Sequence, residues 1–92
     1  MTYRIAKQKL NKEGSIIKNA RRKICANFTN MDSIKALNDF KIFLDNSGDK
    51  NFRYELVEAL RWRHMAFGQW NEESKIWKIS MEEQNGENAA ET

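Results

Sequence analysis

The sequence predicts an α+β fold, a small single domain of two to three helices with a C-terminal β-hairpin, and three observations predict it. Apolar residues recur at three- and four-residue steps in several stretches between residues 15 and 67, the spacing of one helix face. Beyond Gly68 the period changes to two, around the polar NEES turn. Forty per cent hydrophobic residues in 92, with five Phe, three Trp and two Tyr, suffice for one modest core. Residues 1–81 are therefore expected as a single globular domain with a basic N-terminal part. Residues 82–92, EEQNGENAAET, have no aromatic or branched aliphatic side chain and are expected as an acidic disordered tail.

Residues 1–14 scatter Tyr3, Ile5, Ala6 and Leu10 among bases and read as a short helix or an arm. From Ser15, a helix cap, the stripe Ile17, Ala20, Ile24 and Phe28 predicts a first helix, with Lys18, Arg21 and Arg22 off the stripe and Lys23 at its edge. Asp32 can cap a second helix from Ser33 to about Asn46, striped by Ile34, Leu37, Phe40 and Leu44, with Gly48 expected at positive φ beyond its end. FKIFLD (40–45) also alternates, so a short helix followed by a strand is an alternative there. A third helix is expected from Asn51 or Phe52 to just before Gly68, with Phe52, Leu56, Ala59, Leu60 and Phe67 as its stripe and Val57 widening it. Residues 69–71 and 75–80 then read as the hairpin. If Trp70 faces Lys75, then Trp70, Lys75, Trp77 and Ile79 share one face.

Charge is unevenly placed along the chain. Residues 1–30 hold eight Lys/Arg and one acid, residues 31–81 hold eight of each, and residues 82–92 hold four glutamates and no base. A basic head suits phosphate neutralisation, because each cation at a phosphate releases condensed counterions. One cysteine, Cys25, precludes an intrachain disulfide and fits a reducing compartment. No apolar run approaches the roughly 18–20 residues a bilayer span needs, and the N-terminus lacks a secretory apolar stretch, so a cytoplasmic location is expected.

Little in the chain suggests catalysis. The single His64 and single Cys25 lie on different expected helices, and CxxC, HExxH, EF-hand, P-loop and GxGxxG patterns are missing. No enzymatic activity, catalytic residue, metal or cofactor is expected. The tryptophans remain: Trp62, Trp70 and Trp77 fall within sixteen residues, interleaved with Arg61, Arg63, Lys75 and Lys78. Aromatics beside cations make a stacking platform for single-stranded nucleic acid, because any base offers a π face, and the same residue types make protein hot spots. The candidate nucleic-acid or partner-binding residues are Lys18, Arg21, Arg22 and Lys23 for phosphates, and Arg61, Trp62, Trp70 and Lys75 for the platform.

Tyr54, Leu56, Val57, Trp70, Asn71, Lys75, Trp77, Ile79, Ser80 and Met81 follow an aromatic, short helix, aromatic–Asn, Lys turn, Trp and alternating-strand order. In this, residues 52–83 resemble the HARP domain of annealing helicases and related small helix-plus-hairpin modules. The resemblance implies a DNA-proximal module, covers about a third of the chain, and includes no helicase motor. The expected function is a small non-enzymatic nucleic-acid-binding accessory protein. Ten lysines and ten asparagines fit an AT-rich genome such as that of a phage or mobile element. The alternative is a protein-binding inhibitor or adaptor, for example a phage-encoded antagonist of a host defence enzyme. Expected partners are thus nucleic acid or a host or phage protein, with no membrane.

Overall fold

The computed structural model describes residues 2–17, 20–61 and 63–81. Among them are one helix and five strands: β1 (Tyr3–Lys9), β2 (Lys23–Phe28), α1 (Ser33–Ser47), β3 (Phe52–Glu58), β4 (Arg63–Asn71) and β5 (Ile76–Ser80). The strands form one antiparallel sheet in the order β2-β1-β3-β4-β5. Because β1 lies between β2 and β3, α1 carries the chain across β1 and packs on one face of the sheet.

The core follows from two periodicities meeting. Tyr3 and Ile5 on β1 alternate toward the helix, opposite Glu58 and Leu56 on β3, and Tyr54 continues that row. Against them α1 sets Ala36, Phe40 and Leu44, spaced four apart and all buried. Gly68 lets the helix come close: a Cβ there would stand 2.4 Å from Leu44 Cδ1 and 3.3 Å from Phe40 Cζ. A bulge in β4 leaves Met65 unpaired, so Met65 joins Ala66 in the core. Cys25 is the matching extra residue of β2, between Ile24 and Ala26.

The fold corrects the expected two to three helices with a C-terminal hairpin. Only the second expected helix forms as such, capped by Asp32, whose carboxylate accepts from Lys35 N at 2.8 Å. It runs unbroken through residues 40–45, so the helix-then-strand alternative does not hold. Gly48 closes it by donating to Leu44 O at 2.9 Å, at φ −69° rather than a positive angle. Residues 2–14 are not a helix or arm but the interior strand β1 and the turn after it.

The expected first helix is instead an irregular connection followed by β2. Ile24 and Phe28 satisfy a four-residue step, but Ala26 and Phe28 also alternate, and pairing with β1 decides in favour of the strand. The expected third helix, with the short helix that the resemblance implies at Leu56 and Val57, is strand β3, a turn and the start of β4. Phe52, Tyr54 and Leu56 carry the period of two that wins there. The chain reverses between Glu58 and Arg63, and the sequence there has no glycine or proline to announce it.

The hairpin between β4 and β5 forms, with a register different from Trp70 opposite Lys75. Trp70 faces Trp77, and Lys75 sits in the turn at φ 59°, donating its N–H to Asn71 O. A two-residue shift preserves parity, so Trp70, Trp77 and Ile79 still share the helix-side face. The expected acidic tail, 82–92, lies outside the described residues.

Candidate nucleic-acid interface

The face of the sheet turned away from α1 is built from the other set of alternating residues. Across β1, β3, β4 and β5 one row reads Ala6, Glu55, Phe67, Ser80, and the next reads Gln8, Arg53, Gln69, Lys78. The β1–β2 connection crosses this face and is tied down at two points. Gln69 Nε2 donates to Gly14 O at 2.8 Å, and Gln8 Nε2 donates to Ala20 O at 2.9 Å. Gly14 takes φ 85°, a left-handed conformation that glycine adopts without strain.

A cleft of about 340 Å³ opens between β3, β4 and β5, lined by Arg53, Phe67, Gln69, Trp70 and Lys78 among others. Its floor is aromatic, and among the described residues its cations are uncommitted to any carboxylate. The Arg53 guanidinium lies 4.0 Å over the Phe67 ring, and the His64 ring stacks on Phe67 with centroids 5.6 Å apart.

Beside the cleft, Glu55 is buried between two partners. Arg22 Nε reaches it at 2.8 Å, across the fully buried small Ala6, and His64 Nδ1 stands 2.7 Å from its other oxygen. The His64 contact lacks hydrogen-bond alignment. Glu55 thereby locks the β2 entry and the His64 ring to the centre of the sheet.

The same arrangement of cation over ring recurs at the end of the sheet beyond the cleft. Lys7 and Lys9 lie 4.4 and 5.1 Å from the Phe52 ring centre, and Lys50 lies 4.4 Å from that of Trp70. Among the described residues, none of Lys7, Lys9, Lys50 or Arg53 has a carboxylate within 4 Å. Trp70 also donates its indole N–H to Glu72 at 2.9 Å. Glu72 is held below the usual carboxylate range, first by its hydrogen bond from Lys75 and then by that from Trp70. A second cleft, about 550 Å³, lies here between Lys12, Lys50, Asn51, Trp70 and Glu72.

The chain matches no family model, no curated protein and no solved structure.

The structure scatters the residues that sequence reasoning singled out. Arg21, Arg22 and Lys23 do not form a helix face: Arg21 is exposed before β2, Arg22 is spent on Glu55, and Lys23 opens the edge strand opposite Lys7. Arg61 is exposed in the β3–β4 turn, at the opposite end of the sheet from Trp70. Lys75 is paired with Glu72. Lys18 and Trp62 lie outside the described residues. Of the eight, Trp70 lines both clefts.

Sequence reasoning missed Arg53, Phe67, Lys7, Lys9 and Lys50, and noted Lys78 only among the cations interleaved with the tryptophans. The signal was available in FRYELVE (52–58), whose strict alternation puts Arg53 and Glu55 on one face and Tyr54 and Leu56 on the other.

Among the described residues no group of three or more His, Cys, Asp or Glu is placed to hold a metal ion, and no helix is long and apolar enough to cross a membrane. Cys25 is exposed on β2, with its Sγ donating to Ile5 O at 3.4 Å. Desolvation pushes its thiol pKa up, against the opposing pull of Lys7. A raised pKa keeps the protonated thiol at neutral pH, and the thiolate is the nucleophile. Iodoacetamide should therefore modify Cys25 more slowly than free cysteine at pH 7.5, and the gap should narrow as pH rises through the thiol range. Labelling faster than free cysteine would show an activated thiolate instead.

Proposed function

We propose that this is a small non-enzymatic nucleic-acid-binding accessory protein whose ligand lies on the sheet face away from α1. The observation that carries this reading is Arg53, held over the Phe67 ring on that face instead of against a carboxylate, with the same cation-over-ring arrangement repeated at the sheet end by Lys7 on Phe52 and Lys50 on Trp70. A cation already paired with a carboxylate has little to gain at a phosphate. One resting on an exposed ring gives up only about 0.5–1 kcal/mol to move there. The ring it leaves is then open to a base. Arg53 and Lys78 line the central cleft, and among the described residues no acidic side chain does.

The test is the double variant Arg53→Ala/Lys78→Ala in an oligonucleotide titration at several salt concentrations. Loss of two phosphate contacts should flatten the log K against log salt slope by about 1.4–1.8 units, at roughly 0.7–0.9 per contact. Stability should change by no more than about 1 kcal/mol, because both side chains lie at the surface. An unchanged slope removes this face from the site.

A second reading, a protein-binding inhibitor or adaptor, is favoured by a different observation. β2 and β5 are the two edges of the sheet, each with pairing on one side, and they expose Ile24 and Ile76. Such edges can accept an added strand from a partner. Recovery of bound material with and without nuclease separates the two readings: nuclease-sensitive recovery supports the first, a stoichiometric protein the second.

A further inference from the structure

We infer that the ligand is single-stranded, and that Trp70 takes one of its bases in the second cleft while Arg53 and Lys78 take its phosphates in the first. This inference rests on the nucleic-acid reading above and specifies the substrate class and the division of labour within the site.

Three observations carry it. The first is continuity: Trp70 lines both the 340 Å³ cleft on the open face and the 550 Å³ cleft at the sheet end. A chain laid over Phe67 that turns the end of the sheet therefore meets Trp70 next.

The second is the difference in charge between the clefts. The first is lined by Arg53 and Lys78 and, among the described residues, by no acid. The second sets Lys12 and Lys50 against Glu13 and Glu72, and Glu72 is already engaged by Lys75 and the Trp70 indole. A near-neutral cleft with an aromatic wall suits a base; an acid-free one with two cations suits phosphate. Lys50 over Trp70 does not bar the way. Its flexible stem can swing off the ring, giving up one weak, exposed cation–π interaction, and a stacked base contributes more than that.

The third observation speaks against a duplex. α1, the one helix among the described residues, is not a basic element suited to a major groove. α1 carries Lys35 and Lys41 against Asp39 and Asp45, with Lys35 3.6 Å from Asp39, and so offers no basic stripe. The open face is instead walled by the β1–β2 connection, held at Gln8 and Gln69. Bases stacked inside a duplex present no π face to Phe67 or Trp70, whereas a single strand can splay its bases onto them.

The experiment is fluorescence anisotropy of the intact 92-residue protein with a labelled single-stranded oligonucleotide and with a hairpin duplex of the same composition. The single strand should bind at least about tenfold tighter, since each stacked base adds about 1–3 kcal/mol. Trp70→Ala should weaken single-strand binding roughly 5- to 100-fold, the same 1–3 kcal/mol for one base, with the salt slope unchanged. Trp70→Phe should restore most of the loss, which separates stacking from any damage to the fold. Duplex binding as tight as single-strand binding overturns the single-strand inference and leaves the nucleic-acid reading standing. No binding to either probe overturns that reading itself. Unaltered affinity in Trp70→Ala, or a flattened salt slope, overturns the assignment of a base to the second cleft.

Discussion

Phe40→Ala is expected to cost about 3–5 kcal/mol of stability, the range for a buried aromatic cut back to alanine. Phe40 is fully buried in the middle of α1, between Ala36 and Leu44, and its ring closes over Gly68. Gly68 has no side chain to swing into the vacated volume, and the neighbouring Tyr54 is fixed by its hydroxyl, which accepts from Asp49 N at 2.9 Å. The cavity would therefore persist. A chain of this size has about 5–14 kcal/mol in total, so the variant should lose a large part of it. The measurement is urea unfolding, with Leu60→Ala as the contrast. Leu60 belongs to the apolar stripe read from the sequence, yet it is 84% exposed in the β3–β4 turn, and its removal should change stability by less than about 0.5 kcal/mol. A Leu60→Ala loss comparable to that of Phe40→Ala would mean that residues 51–67 bury a helix face after all.

The contrast between those two residues shows what was legible. Phe40 lies on a helix stripe, Ile34, Leu37, Phe40 and Leu44, opened by a capping aspartate whose side-chain bond is local; although residues 40–45 also alternate, the stripe and cap placed α1 to within a residue. Leu60 lies where two periods overlap. Phe52, Leu56, Ala59 and Leu60 fit a helix; Phe52, Tyr54 and Leu56 fit a strand. The deciding energy comes from β1 and β4 on either side, which are long-range partners that a local window does not contain. The sequence between Glu58 and Arg63 carries none of the usual turn residues, so nothing marked the reversal.

The site was less legible than the fold, for the same reason. Arg53, Phe67 and Lys78 are separated by fourteen and eleven residues and become neighbours only through strand register. Arg22 looked available for phosphate because its partner, Glu55, sits 33 residues away, beyond a crossover helix. Trp70 was singled out on residue type and on its place beside the turn, and both are local properties. What could not be read was that Lys50, from the α1–β3 connection, rests on its ring.

Trp77→Ala is expected to cost about 3 kcal/mol, and Trp70→Ala about 1 kcal/mol. The two rings face each other across the hairpin in an edge-on contact, centroids 5.8 Å apart, so the difference arises from what else each touches. Trp77 packs edge-on against Tyr54 at 5.6 Å and fills the space beside Gly48, where even a Cβ would come within 2.4 Å of the indole. With Ile79 it joins β5 to the core, and its loss leaves a gap bounded by the α1 end cap. Trp70 has Lys50 on its ring and an exposed hydrogen bond to Glu72, and water can replace both. The edge contact itself should appear as a coupling of about 0.5–1.5 kcal/mol in a double-mutant cycle, measured by urea unfolding of the two single variants and the double. If Trp70→Ala is as destabilising as Trp77→Ala, the rings form one core unit, Trp70 is not free to receive a base, and stacking must rest on Phe67 alone.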